Sequence, residues 1–418
     1  MLARLSKIRT GFEGGWIALD GLRSDGVLYA ASAVFALLLG WTSREPAQWH
    51  WGYLAVVPYG VFAVMALWLS RLKLRRPATV RIGLLSLVIL GAVAMPLALE
   101  ARWRQAQPEI SVIDRSAAAV SQGQDPYHTY VRHGRLFDAV PGIPAYESFF
   151  PYFPLMSVFG LPSAETKKST GLTDARIVMS LMTLLTGGLA LALLRTSRAK
   201  KIRIAQVLVA LPTGALFLST GGDDMPILAL MLLGVAALQR RSNYVAGVSL
   251  GLAAAMKLTA WPMAAGALLV AREREGQSAW RKVALLIGAI VLFSITPFVI
   301  HAPGAFVSNV FAFPLGLAGV TSPAASALPG HVLTTVWAPL GHVLAPMTFL
   351  IGGYFVARYL QRHRPLTLSQ LLGLLSVIFA VLMCVASATR IGYLIYPLNF
   401  ALWSRVCQDQ PAKTLELV

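Results

Sequence analysis

Apolar stretches recur along the whole chain, separated by short polar or basic segments. They predict spans over 26–41, 51–70, 82–99, 175–194, 204–220, 225–239, 283–300, 332–357, 367–387 and 391–404. A bilayer crossing takes about 20 helical residues, so the shorter stretches are tilted, extended at their ends or partly buried in protein. Lys and Arg cluster at 71–81, 195–203, 240–241, 272–282 and 358–364. Placing all five clusters on the cytoplasmic side follows the positive-inside bias. That leaves 100–147, 221–224, 301–330 and 388–390 outside. The segment 148–162 carries Pro151 and Pro154, is too short to cross, and reads as re-entrant or interfacial. The segment 244–271 leaves the cytoplasmic side and returns to it. Two half-helices with a turn near Lys257-Leu258-Thr259 fit that path, and broken helices at membrane depth are tolerated where they line a protein cavity. The expected fold is all-α and polytopic, with about 10–12 transmembrane helices, a re-entrant segment and a broken-helix hairpin.

Composition agrees: 56% of the residues are hydrophobic and 13% charged, about half the charge of a soluble domain. The net charge of +18 does not point to nucleic acid, because the basic residues sit in clusters between apolar spans. Cys384 lies in an apolar span and Cys407 near the C-terminus, so no disulfide or metal-spaced pair follows. The basic N-terminus lacks a cleavable signal pattern, so the first span is expected to be retained. The tail from Gln408 is polar and expected to be disordered.

The first large outer loop, 100–147, is chemically the richest stretch. Six of the eighteen acidic residues lie in it: Glu100, Glu109, Asp114, Asp125, Asp138 and Glu147. Asp114-Arg115-Ser116-Ala117-Ala118-Ala119-Val120 predicts a short helix with the acid at its start, and Gly123-Gln124-Asp125-Pro126-Tyr127 a stop and turn, followed by His128. An ordinary solvated loop with an acidic helix start has the same pattern. Gly221-Gly222-Asp223-Asp224 is a tight acidic turn between apolar spans. It is either a charged stop or one wall of an outer cavity; two carboxylates alone do not make a metal site, and neither a metal nor a cofactor is expected. Lys257 stands inside an apolar run. An intramembrane cation is costly and marks a site more often than not, though a snorkelling lysine reads alike. A half-helix starting near Thr259, with Trp261 and Pro262 in its first turn, would aim its positive end at the same place, which suits an anionic group such as a phosphate. The loop 301–330 has no Asp, Glu, Lys or Arg. It is expected to rest on the membrane, where a lipid tail could lie. His331, Arg390 and Tyr393 sit near the outer face, as ligand contacts or as interfacial anchors.

In this order, these pieces resemble the C-type (GT-C) membrane glycosyltransferases, in particular the polyprenyl-phospho-mannose-dependent branch of actinobacteria. The resemblance spans about residues 82–404. It rests on Asp114 to Tyr127, the aromatic-Pro entry Phe149-Phe150-Pro151-Tyr152-Phe153-Pro154, the turn Gly221–Asp224, and the hairpin Gly247–Pro262 around Lys257. Two extra helices in 1–81 precede the resembling region, which implies a membrane catalytic domain over 82–404, and a cytoplasmic tail is expected over 405–418. It also implies a multi-pass plasma-membrane enzyme with its active site on the extracytoplasmic side. The implied reaction is inverting transfer of a sugar, mannose first and arabinofuranose second, from a polyprenyl-phosphate carrier to a glycolipid or glycan acceptor. An inverting displacement needs one general base, which the resemblance assigns to Asp114. Arg115 and the positive helix end would favour its ionised form. Lys257, Thr259 and Arg390 would hold the donor phosphate. Arg115, Asp125, Tyr127, His128, Asp223, Asp224, Trp261, His331 and Tyr393 would line the substrate site. A lipid-linked saccharide flippase or other transporter is the main competing reading. It would show paired repeats and charges inside several spans, whereas intramembrane charge here is nearly confined to Lys257. A non-catalytic scaffold is the third reading, and would tolerate loss of Asp114 and Lys257 together.

The topology is open to direct measurement. Single-cysteine variants labelled from outside should react in 100–147 and 221–224 and stay protected in 195–203 and 272–282; labelling within 195–203 would sink the scheme.

Overall fold

The computed structural model describes residues 21–133, 135–320 and 324–407. The polar tail from Gln408 and the N-terminal basic segment therefore lie outside the described residues. The helices, in chain order, are α1 (Leu22–Thr42), α2 (Pro46–Leu69), α3 (Pro77–Trp103), α4 (Pro108–Ser121), α5 (Leu161–Thr166), α6 (Ala175–Leu193), α7 (Arg198–Ala210), α8 (Pro212–Thr220), α9 (Asp224–Gln239), α10 (Asn243–Met256), α11 (Trp261–Glu275), α12 (Gln277–His301), α13 (Pro303–Val307), α14 (Pro329–Val336), α15 (Leu340–Arg362), α16 (Leu368–Val385) and α17 (Ile395–Val406). One short antiparallel hairpin, β1 (Tyr130–Arg132) with β2 (Arg135–Phe137), follows α4. The protein is an all-α polytopic membrane protein. Six described helices are long and apolar enough to cross a bilayer, and the pair α7–α8, bent by 43°, makes a seventh if counted as one span. The bend falls where Pro212 cannot donate to the preceding turn.

The chain packs as two compact units. The first holds α1–α3 with α7 and α8. Small residues let α1 and α2 touch: a Cβ on Gly52 would stand 2.5 Å from the Gly40 nitrogen and 2.6 Å from the Ala36 carbonyl, the close backbone approach typical of packed membrane helices. Irregular backbone supplies acceptors for buried aromatic donors. Trp51 Nε1 donates to the Ala92 carbonyl at 2.9 Å, within a π-turn of α3, and the Tyr59 hydroxyl to Ala210 at 2.6 Å, beside the Pro212 break. The one buried carboxylate of α1, Asp25, accepts from Arg81 Nε at 2.6 Å and lies 3.1 Å from Arg203.

The second unit holds α4–α6 and α9–α17. Its centre is α9, buried from Met225 to Leu238. Around it, α10 and α11 form the expected hairpin, and both arms lie on α12. Gly247 and Gly251 of α10 face Leu286 and then Ile287 and Ile290, while Ala271 of α11 clusters with Ala279 and Val283. The arms therefore run in opposite directions, and the turn sits at Lys257. The segment 148–162 contains no crossing helix. It is a 3-10 turn, Pro154–Gly160, ending in α5, with Phe149, Phe150, Tyr152, Phe153, Met156 and Phe159 buried in protein. The Phe153 N–H satisfies the Met256 carbonyl at the hairpin break, at 3.0 Å, as backbone away from water requires. One expectation is corrected. The span 332–357 is interrupted between Val336 and Leu340, because Pro339 lacks a donor and disfavours helical backbone before it.

Asp25 should be the most sensitive single polar position of the first unit. Asp25→Asn takes the shared carboxylate from the buried Arg81 and the half-buried Arg203, and breaking a buried pair costs about 3–5 kcal/mol. Thermal unfolding of the detergent-solubilised chain should show that loss; a change under about 1 kcal/mol would mean that Asp25 is not the counter-ion.

Candidate active site

The site of the second unit is built on three breaks in helical structure. The first is the turn Gly221–Asp224 before α9. Gly221 has φ +100°, and a Cβ there would meet Ile110 and Arg176 at 2.5–2.9 Å, so only glycine fits. The second is Lys257, in extended backbone between α10 and a 3-10 turn. The third is the turn Ile391–Leu394 before α17. Together they bring Lys257 Nζ to 2.5 Å from Asp223 Oδ2 and into a hydrogen bond with Asp224 Oδ1. The Tyr396 hydroxyl donates to Asp224 Oδ1 at 2.5 Å and lies 2.8 Å from the Thr259 hydroxyl. Lys257 also stands 5.5 Å from the centre of the Tyr152 ring.

Lys257 is therefore not a free cation. It belongs to a triad of net charge −1, which removes the electrostatic reason to make it the main counter-ion of a phosphate. Two of its three N–H donors are taken. The other cation predicted to hold the phosphate, Arg390, is paired as well: its Nη1 lies 2.5 Å from Glu109 Oε1. Tyr152 joins the groups, being within electrostatic range of Glu109, Asp223, Asp224 and Lys257. Tyr393 is within range of Lys257, Asp224 and Arg390 and is 37% exposed. Trp261 stacks on Phe153 at 5.4 Å, bonds the Ala254 carbonyl, and keeps 40% of its surface exposed beside the hairpin turn. Thus Lys257, Thr259, Asp223, Asp224, Trp261, Arg390 and Tyr393 converge on one region.

The remaining predicted residues lie elsewhere. Asp114 does not open a helix. α4 starts at Pro108, and Asp114 is in its second turn, where it accepts from the Ser163 hydroxyl at 2.8 Å and neighbours the buried Asp174–Arg176 pair. Burial pushes its pKa up, against the lowering effects of Ser163, Arg176 and Arg115. The expectation that a helix end and Arg115 would favour its ionised form is thus corrected. Arg115 is turned to the Glu147 carbonyl, at 2.5 Å. Asp125 caps the Tyr127 N–H at 2.8 Å, and burial raises its pKa too. Tyr127 is 1% exposed, packed on Phe298 and Phe306, and donates its hydroxyl to the Tyr152 carbonyl. His128 is exposed on the loop. His331 Nδ1 is tied to the Ser387 carbonyl at 2.8 Å.

Glu109 is the residue that sequence reasoning passed over. It follows Pro108 in the first turn of α4, and Pro at the first helical position is a start signal that would have found it. Its Oε1 accepts from Arg390, while Oε2 is buried without a hydrogen-bond partner among the described residues. In the sequence Tyr152 stands only as part of the aromatic-Pro entry, with no site role, and Tyr396 has no local motif. Among the described residues no group of three or more His, Cys, Asp or Glu could hold a metal ion.

A family model of glycosyltransferase family 87 matches residues 150–387, more than half of the chain. The chain belongs to glycosyltransferase family 87. This is a GT-C-type family, so the protein is a membrane glycosyltransferase, which uses a sugar donor and an acceptor. The family 87 match takes in Tyr152, the Gly221–Asp224 turn and Lys257, but neither Glu109 nor Arg390. No curated protein and no solved structure matches the chain.

The triad makes a measurable prediction for this family 87 site. Lys257→Met leaves two adjacent carboxylates that are only 10% and 14% exposed. It should cost about 3–5 kcal/mol of stability, and adding Asp223→Asn and Asp224→Asn should restore most of it. Thermal unfolding of the single and triple variants is the measurement; a Lys257→Met protein as stable as the wild type would remove the triad from the account.

Proposed function

We propose that this family 87 enzyme transfers a sugar, mannose in the first instance, from a polyprenyl-phosphate carrier to a glycolipid or glycan acceptor at the extracytoplasmic face of the plasma membrane, with inversion. The observation that carries the chemistry is the Glu109–Arg390 pair: a carboxylate with one oxygen held by a guanidinium and the other unpartnered among the described residues. In the proposed step, Glu109 Oε2 takes the proton of an acceptor hydroxyl. The acceptor oxygen bonds the anomeric carbon as the bond from that carbon to the phosphate oxygen breaks. The carrier leaves as a phosphate monoester, its charge rising from −1 to −2. A fixed cation beside that growing charge stabilises the transition state more than the ground state. Arg390 suits that role: its side chain is 32% exposed, and Glu109 takes only part of its five-donor fork. The third N–H of Lys257, and Thr259, would steady the same phosphate. Trp261 and Tyr393 offer exposed aromatic faces for the sugar or the lipid.

Asp114 is the second candidate base, on the strength of its place in the same loop. Its environment favours it less, since an acid whose pKa burial has raised is protonated over a wider pH range. The two assignments separate experimentally. With purified protein and a polyprenyl-phospho-mannose donor, Glu109→Gln should lower turnover by at least roughly 10²-fold, with donor binding retained, and Asp114→Asn should stay within a few-fold of wild type. If Asp114 is the base instead, its variant takes the large loss, and the wild-type acid limb lies above the ordinary aspartate range, activity falling as pH falls through the raised pKa. Release of free lipid phosphate across a panel of polyprenyl-phospho-sugars tests the donor; no release from any of them would overturn the donor class.

A further inference from the structure

The β1–β2 hairpin of the first loop carries an unfavourable charge arrangement. Arg132 and Arg135 are Cα partners at its tip, and both side chains are exposed. Like charges directly opposite each other destabilise a strand pair. Neither guanidinium has a carboxylate partner among the described residues. Exposed His133 lies beside them.

The base of the hairpin is held firmly. Tyr130 stacks on Phe137 at 5.2 Å, and Thr129 Oγ1 donates to the Asp138 carbonyl at 3.0 Å. Asn309, fully buried, donates to the Thr129 carbonyl at 2.6 Å and accepts from the Phe150 N–H at 2.7 Å. These contacts fix the height of the tip relative to a membrane span. The longest apolar helix of the unit, α12, exposes Leu285, Leu292, Phe293 and Ile300 and ends at His301, so its end marks the edge of the hydrocarbon layer. Tyr127, three residues before β1, packs on Phe298 of that helix and on Phe306 of α13. A strand advances about 3.3 Å per residue, so Arg132, five residues past Tyr127, lies within about 17 Å of that edge along the chain, and the N–H of its neighbour Val131 stands 3.5 Å from the Ser308 hydroxyl just past α13. The headgroup layer is itself roughly 5–8 Å thick, and arginine side chains reach further.

We propose that the Arg132–Arg135 tip binds the phosphate of an anionic lipid headgroup of the bilayer, which relieves the cross-strand repulsion and seats the first loop on the membrane. The partner is a bilayer lipid, and the inference stands apart from the choice of donor or base. A cation near an anionic surface is worth about fivefold in binding, so two give on the order of tenfold to thirtyfold.

The test is amide hydrogen exchange of the full chain in nanodiscs of phosphatidylcholine, with and without phosphatidylglycerol, read over Tyr130–Phe137. Exchange there should slow by about tenfold in the anionic discs. Arg132→Gln with Arg135→Gln should abolish the slowing, and Arg132→Lys with Arg135→Lys should keep most of it. Equal exchange in the two lipids, or protection that survives the glutamine pair, overturns the proposal. So does protection that needs an added phosphate-bearing glycolipid and is absent with phosphatidylglycerol, since that assigns the tip to a substrate. If the glutamine pair fails to fold, the wild-type and lysine-pair proteins in the two lipids still decide.

Discussion

An ammonium group at a break in an apolar helix has to be neutralised where it stands, because the surroundings supply little water to do it. Lys257 meets that condition through Asp223 and Asp224, and much of the second unit is arranged by the demand. The hairpin turn has to fall level with the start of α9. The turn before α9 has to pass tightly over α4 and α6, which Gly221 permits. α17 has to begin where Tyr396 reaches both Asp224 and Thr259. The ion triad thus ties together three chain breaks from distant parts of the sequence. Each break also frees backbone groups that need partners, and the buried aromatic segment 148–162 supplies one through Phe153.

That arrangement constrains where a proton acceptor can come from. Asp223 and Asp224 both hold the Lys257 ammonium, and Asp224 also accepts from Tyr396, so they are occupied in closing the hairpin. Asp114 is half-buried and bonded by a hydroxyl, which does not hold it ionised as a cation would. Asp125 caps its own loop. Glu109 has a guanidinium partner on one oxygen, no partner among the described residues on the other, and a place in the first turn of a helix, where the backbone favours negative charge. The geometry thus supports a division of the first-loop acids by the partners they keep.

Much of this was legible in the sequence, and the gaps have physical causes. Apolar runs and basic clusters give the helices and their ends, since both follow from local composition. The hairpin is readable because basic clusters flank 244–271 on both sides, so a straight helix would leave one of them outside, and Lys257-Leu258-Thr259 marks the turn. What Lys257 pairs with was not readable: its partners lie 33 and 34 residues away, and nothing local fixes that distance. The alanine-rich run puts the first-loop helix start at Asp114, whereas Pro108 sets it. Tyr127 enters the substrate site only through the resemblance at Asp125-Pro126-Tyr127, and a motif does not say which way a ring faces. The span 332–357 follows its hydrophobic run alone, and Pro339 within it marks the break.

The extent of the family match bears on how the proposed chemistry is assembled. The matched stretch begins at Phe150, after the first loop, and ends before Arg390. It contains the triad but neither member of the Glu109–Arg390 pair. Those two residues stand 281 positions apart and meet across the same unit. A pair joined over that separation forms only when α4 and α17 are both seated on the matched core, so its geometry reports on the folding of the whole unit. In the proposed reaction this has a consequence. The base and the phosphate-facing cation come from opposite ends of the unit, and a disturbance at either end breaks both roles at once. The triad, by contrast, sits inside the matched stretch and holds the hairpin whatever the flanks do. Stability and chemistry are then carried by two ion groups that share Tyr152 as their common neighbour.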